Sequence, residues 1–286
     1  MEVHEVTDHL IQFGYLPQHS AHSYFEIQDA IDRYKNFNRF TLAEVGGNLG
    51  KLFETPRCGC PDPQGPIDSD GVPESSLELL GSGSWPHDCH TPGIHEVRIK
   101  IDYSRMPSFL EPIIGEILDL VKSAYLTMGM TLSFVESGPV NIDFSFERLR
   151  GSTIGLARVP NNPGCSSRIW CKYDPGYQPS DLINQWARLI AHELGHNMGL
   201  HHTRGGVMNS SILSGVFDAN EWVGDPSERF FKAWFGGHEQ PQPPPSQEIS
   251  FAMVKAGDSF YMSGGDLPAE LKVNGQVYKG SLRKLT

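Results

Sequence analysis

Residues 192–202 read His-Glu-Leu-Gly-His-Asn-Met-Gly-Leu-His-His, and Met208 follows shortly after in Gly206-Val207-Met208-Asn209. No other stretch constrains the fold as tightly. Histidines four apart lie on one face of a helix, so His192 and His196 can address a single metal ion. Glu193 projects beside them, where a carboxylate can take a proton from a metal-bound water. Gly199 can adopt the positive φ that ends a helix sharply, which turns His202 back as a third ligand. Three protein ligands leave a fourth position open, the arrangement of a catalytic zinc rather than a structural one. A helix carrying histidines for packing alone has no reason to stop at a glycine with another histidine three residues on. A zinc endopeptidase is the expectation. His201 adjoins the third ligand and could compete for it; the spacing favours His202, with His201 a neighbour or a substrate-facing residue.

Length and charge set the outer bounds. A chain of 286 residues has room for one sizeable core and a smaller unit. Lys+Arg 23 against Asp+Glu 34 gives a net charge of −11, which argues against nucleic acid or an anionic membrane as main partner. No apolar run is long enough for a membrane-spanning helix. The start, Met1-Glu2-Val3-His4-Glu5-Val6, has neither the basic residues nor the apolar stretch of a signal peptide. An extracellular or secreted location is expected all the same, through a leader already removed, another export route, or release by lysis. Cys58, Cys60, Cys89, Cys165 and Cys171 point to an oxidising destination, and an odd number leaves at least one thiol unpaired. A monomer is assumed.

Residues 1–62 form a helical unit of three helices: Val6 to Phe13, the run 25–34 with Ile27, Ala30, Ile31 and Tyr34 at helical spacing, and a third around Leu49 to Phe53. It ends in Pro56-Arg57-Cys58-Gly59-Cys60-Pro61-Asp62. A thiolate is a better zinc ligand than water, so a free Cys58 thiol that can reach a metal is one reading of this run. The other reading puts Cys58 and Cys60 in a disulfide, or in a structural zinc cluster with Cys89 and His90. Residues 63–84 are rich in Pro, Gly, Ser and Asp and read as an activation linker with little to bury, open to a cutting protease. Residues 85–236 hold a strand at His95–Asp102, a helix from Ser108 to Met128, strands at 130–135, 140–146, 151–157 and 167–170, and a helix from Ser180-Asp181 to Met198. The Pro-rich stretch 237–247 is a stiff spacer. The last segment, 248–286, carries a hairpin around Asn274-Gly275 and reads as a small β-rich appendage.

Together these motifs resemble the matrixins of the metzincin clan, the matrix metalloproteinases and their relatives, over roughly residues 5–236. The resemblance implies an α+β catalytic domain, with a twisted mixed sheet and two long helices in a three-layer-like arrangement, behind an all-α prodomain. It implies zinc on His192, His196 and His202, Glu193 as general base, and Met208 as the apolar floor below the metal. Cys58 would be the latent-form ligand of a cysteine switch, fixed by an Arg57–Asp62 salt bridge. Gly155, Leu156 and Ala157 would lie on the edge strand that pairs antiparallel with an extended peptide or protein substrate. Ile212 and Leu213 would wall the specificity pocket, and residues 225–235 would form the closing helix. The stretch from Phe146 to Asp181 has no histidine, so the family's structural zinc is not expected. A Cys165–Cys171 disulfide is the expected replacement, with Cys60–Cys89 as the matching pair among three pairings. Calcium at Asp174 is an option that the residues do not themselves support. The rival function is a non-catalytic or wall-targeting protein, in which residues 1–55 would bind peptidoglycan.

Overall fold

The computed structural model describes residues 3–18, 21–38, 54–76, 96–138, 140–158, 167–211 and 216–235, and the backbone of four strands between 252 and 281. The chain divides into two units, Met1–His238 and Glu239–Thr286. In the first, α1 (Val3–Gln12) and α2 (Tyr24–Phe37) precede a two-residue strand, β1 (Arg57–Cys58). Then come β2 (Glu96–Asp102), α3 (Ile114–Thr127), β3 (Thr131–Val135), β4 (Ile142–Glu147), β5 (Thr153–Ala157), β6 (Ser167–Lys172), α4 (Leu182–Asn197) and α5 (Glu228–Phe235).

One mixed sheet runs in the order β1-β5-β6-β4-β2-β3. Strands β2, β3, β4 and β6 are mutually parallel, whereas β5 is antiparallel to β6. Exposure alternates along β2, with Val97, Ile99 and Ile101 buried and the residues between them exposed. One sheet face therefore packs and the other meets water. Helix α4 packs on β5 and β6, and α3 lies between α4 and β3. Among the described residues this is an α+β arrangement, a mixed sheet with helices packed on it. Tyr125 of α3 locks the helix pair: its hydroxyl donates to the Ala191 carbonyl at 2.7 Å, and its ring meets Trp222 and Phe231.

Several expectations change in detail. The long helix begins at Ile114, because Ser108–Leu110 winds as a 3-10 turn. Helix α4 starts where expected, yet Asp181 makes no cap to the backbone; its Oδ1 accepts from the Asn184 side chain at 2.8 Å. The third prodomain helix, around 49–53, lies outside the described residues. Helices α1 and α2 share their own apolar cluster of Val6, Leu10, Phe13, Tyr15, Leu16, Ala30, Ile31, Tyr34 and Phe37. Ser23 and Glu26 close a capping box at the start of α2.

The stretch 63–76 is not a bare linker. Val72 is fully buried, Gly71 accepts the Arg204 N–H at 2.8 Å, and Asp68 pairs with Arg229 at 2.5 Å. A composition rich in Pro, Gly and Asp hides the one valine that docks; residues 77–84 lie outside the described residues. The second unit pairs β7 (Ala252–Ala256) with β8 (Ser259–Ser263) and β9 (Pro268–Val273) with β10 (Gln276–Ser281), both antiparallel. The second pair is the hairpin expected around Asn274-Gly275, with Val273 opposite Gln276.

Removing the Tyr125 hydroxyl should loosen the seam between the helices. Tyr125→Phe is expected to cost about 1 kcal/mol in urea denaturation. An unchanged midpoint would show that the bond to Ala191 contributes nothing.

Candidate metal centre

Helix α4 delivers His192, Glu193 and His196 into the interior, all fully or almost fully buried. The helix ends as its glycine requires. Gly199 sits at φ 94°, the Leu200 N–H returns to the Gly195 carbonyl at 3.0 Å, and the Gly199 N–H returns to His196 at 3.0 Å. This pair of bonds is the Schellman closure, and it turns the chain so that His202 points back at the same spot. His192 and His196 Nε2 lie 3.1 Å apart, as do those of His196 and His202.

The opposite nitrogens fix the tautomers. His192 Nδ1 is 2.8 Å from the Val207 carbonyl, and His196 Nδ1 is 2.8 Å from the Leu200 carbonyl. A carbonyl only accepts, so each Nδ1 must carry the proton and each Nε2 must present a lone pair. His202 Nδ1 lies 2.7 Å from Asp62 Oδ1, a short contact although off the line of a hydrogen bond. Burial, foremost, holds His192 well below its ordinary pKa and His202 at about 4, so both are neutral. His196 is pushed the other way, to about 9, because the neighbouring Cys60 charge outweighs burial. Three imidazole nitrogens thus converge on one point.

Cys58 closes the set. Its sulfur is 3.5 Å from His196 Nε2, and one donor atom each from Cys58, His192, His196 and His202 lies within 4.8 Å of the others. In tetrahedral zinc, bond lengths of about 2.05 Å to nitrogen and 2.3 Å to sulfur put nitrogens about 3.3 Å apart and sulfur about 3.6 Å from nitrogen. The observed spacings fit that ion, and the donor chemistry of three imidazoles and a thiolate suits it. Glu193 stands alongside, its Oε2 3.6 Å from the Cys58 sulfur and its Oε1 buried without a partner. Burial pushes its carboxyl well above the usual range. Gly155 makes the room, since a β-carbon there would overlap the Glu193 carboxylate. Met208 lies buried beneath, its sulfur so close to Gly195 that a β-carbon on that residue would overlap it.

The peptide bearing Cys58 is clamped from both sides. Gly59 donates to the Gly155 carbonyl at 2.8 Å, and Cys58 donates to the Ser210 carbonyl at 2.9 Å. Arg57 and Cys58 run parallel to β5 and occupy the outer edge expected to receive substrate. Arg57 and Asp62, both buried, pair at 2.8 Å. The helical unit holds that pair: Arg57 stacks 3.8 Å over the Phe13 ring, and the Tyr15 hydroxyl donates to Asp62 Oδ2 at 2.7 Å. Phe13 and Tyr15 were missed in the sequence because they look like ordinary core aromatics.

Other expectations fare differently. Ile212 and Leu213 lie outside the described residues. Asp174 is exposed, its Oδ1 accepting from the Gly176 N–H, and neither acid-and-thiol cluster among the described residues includes it. Cys60 and Cys171 are free, buried thiols, so neither expected bridge is formed; Cys89 and Cys165 lie outside the described residues. Cys60 points at β5, where its sulfur meets both the N–H and the carbonyl of Ala157 at 3.4 Å. Cys171 faces inward from β6 into the core. No helix among the described residues is long and apolar enough to cross a membrane.

No protein-family profile matches the chain, and no curated protein matches it. Among solved structures, two of myroilysin align at 16% and 18% identity over 43% of this chain, each with a TM-score of 0.29. The matched part spans about half of those chains, 53% and 48%. Metalloproteinase-II from Bacteroides fragilis aligns at 14% identity over 56% of this chain and 61% of its own, with a TM-score of 0.30. These neighbours are metalloproteases.

Overpacking tests the floor of the site. Gly195→Ala is expected to lose about 1–3 kcal/mol in chemical denaturation, and adding Met208→Ala should return part of that loss. Strictly additive losses would place Met208 elsewhere.

Proposed function

We propose that the chain is a latent zinc metalloendopeptidase of matrixin-like design, kept inactive by its own Cys58. The observation that carries this reading is the convergence of three buried imidazole nitrogens and one thiol on a single point. In this reading His192, His196 and His202 hold the ion and Cys58 fills its fourth position. A bound zinc supplies Lewis acidity, acidifying water and polarising a carbonyl.

This chain's residues supply the rest. With the thiol withdrawn, Glu193 is placed to take a proton from the attacking water and to return it to the departing amine. Its burial raises its proton affinity, which suits a base that must also act as an acid. Gly155 to Ala157 would then present a free strand edge to an extended peptide, whose main-chain bonds give affinity without reading sequence. Residues 1–62 act as the inhibitor: the helices grip Arg57 and Asp62, and that pair fixes the bend presenting Cys58. Activation requires the segment to leave, by cutting after Asp62 or by loss of the sulfur ligand. A secreted site of action is part of the proposal.

Cleavage of a quenched peptide by the zinc-loaded full chain is the test. Intact protein should be silent, and Cys58→Ala should be active without proteolysis. Adding Glu193→Gln to that variant should lower turnover by about 10²–10⁴-fold with zinc still bound. Silence of Cys58→Ala, after proteolysis as well, would leave a metal-binding protein and not a peptidase.

A further inference from the structure

Cys60 has no part in the proposed chemistry, yet it lies against it. Its sulfur, the Cys58 sulfur, a Glu193 oxygen and a His196 nitrogen all lie within 4.8 Å of one another. His192 and His202 are not in that group, so Cys60 stands beside the four-donor point rather than on it. The Cys60 N–H donates to the Cys58 sulfur at 3.3 Å, and both thiols are buried and free. One residue, Gly59, separates them, and it packs so closely on Thr153 that a side chain there would have to displace its methyl.

We propose that Cys58 and Cys60 form a reversible disulfide that disarms the inhibitory segment, so that latency can end by oxidation without chain cleavage. This rests on the reading of Cys58 as the inhibitory ligand. The co-reactant is a low-molecular-weight disulfide. When the segment lifts from the β5 edge, the Cys58 thiolate attacks one sulfur of that disulfide, forming a mixed disulfide and expelling one small thiolate. The Cys60 thiolate then attacks the Cys58 sulfur, forming the internal bridge and expelling the second small thiolate. Two protein thiols are oxidised, one external disulfide is reduced to two thiols, and the two protons go to solvent or to the released thiolates.

The bridged and ligated states exclude each other. A bridged sulfur has no thiolate to offer a metal. A disulfide bond of about 2.05 Å also requires the two sulfurs to approach more closely than they do in separate roles at the site. With two residues so near in sequence, the second exchange is intramolecular and faces a high effective concentration. Bridges across such short spans belong to the labile, readily reduced class, which makes the change reversible.

The experiment treats the zinc-loaded full chain with oxidised glutathione, quenches with acid, alkylates remaining thiols and maps the peptide holding residues 57–62 by mass. Wild type should yield that peptide two hydrogens lighter than the dithiol, unalkylated at both cysteines, with zinc retained and peptide cleavage rising until a phosphine reductant reverses it. Cys60→Ser should stall as a glutathione adduct on Cys58, and Cys60→Ala serves if the serine variant folds poorly. Recovery of Cys58 and Cys60 both alkylated, of Cys60 bridged to Cys89, or of a stable glutathione adduct in wild type would overturn the proposal. An internal bridge in a chain that stays silent, with Cys58→Ala silent too, would remove the peptidase reading and leave the disulfide standing.

Discussion

The Nε2 atoms of His192 and His202, each 3.1 Å from that of His196, form the constraint on which the rest depends. Nitrogen lone pairs brought together in a buried site repel one another. A cation at their centre converts that repulsion into ligation, so metal loading and stability of this region are one quantity. The elements around it follow. Gly199 exists to bring the third nitrogen back, Val207 and Leu200 lend carbonyls to hold the rings, and Gly155 and Gly195 stay small to admit Glu193 and Met208.

The second constraint is the buried Arg57–Asp62 pair. Burial opposes the charge on Asp62, and the Arg57 guanidinium and His202 hold its carboxyl well below the usual range despite it. Removing one partner of such a pair leaves an uncompensated buried charge, at a cost of about 3–5 kcal/mol. The helical unit offsets part of the desolvation with the Phe13 face and the Tyr15 hydroxyl. This is why a small two-helix cluster, which would be marginal alone, matters to a site on the other side of β5. In the proposed reading, loss of the Cys58 ligand is the economical route to release of the segment.

Much of this was legible in the chain. Histidine spacing and one glycine specify the ligand geometry without reference to anything distant, and strand alternation in 96–102 and helical spacing in 114–125 give the sheet and its covering helix. What escaped was long-range. Nothing near Phe13 or Tyr15 shows that they will stack on Arg57 and bond Asp62, because those partners are more than forty residues away. Val72 was hidden in a stretch of turn residues. The cysteines misled, since pairing by count cannot tell an inward-facing core thiol at 171 from a bridged one. The edge strand was found, but not that the chain's own residues 57–58 already occupy it, running parallel to β5.

The most direct measurement is zinc X-ray absorption on the intact, metal-loaded chain. Three nitrogen scatterers at about 2.0–2.1 Å and one sulfur at about 2.3 Å are expected. A shell without sulfur would contradict the role given to Cys58, and a shell with two sulfurs would mean that Cys60 is a ligand rather than its neighbour.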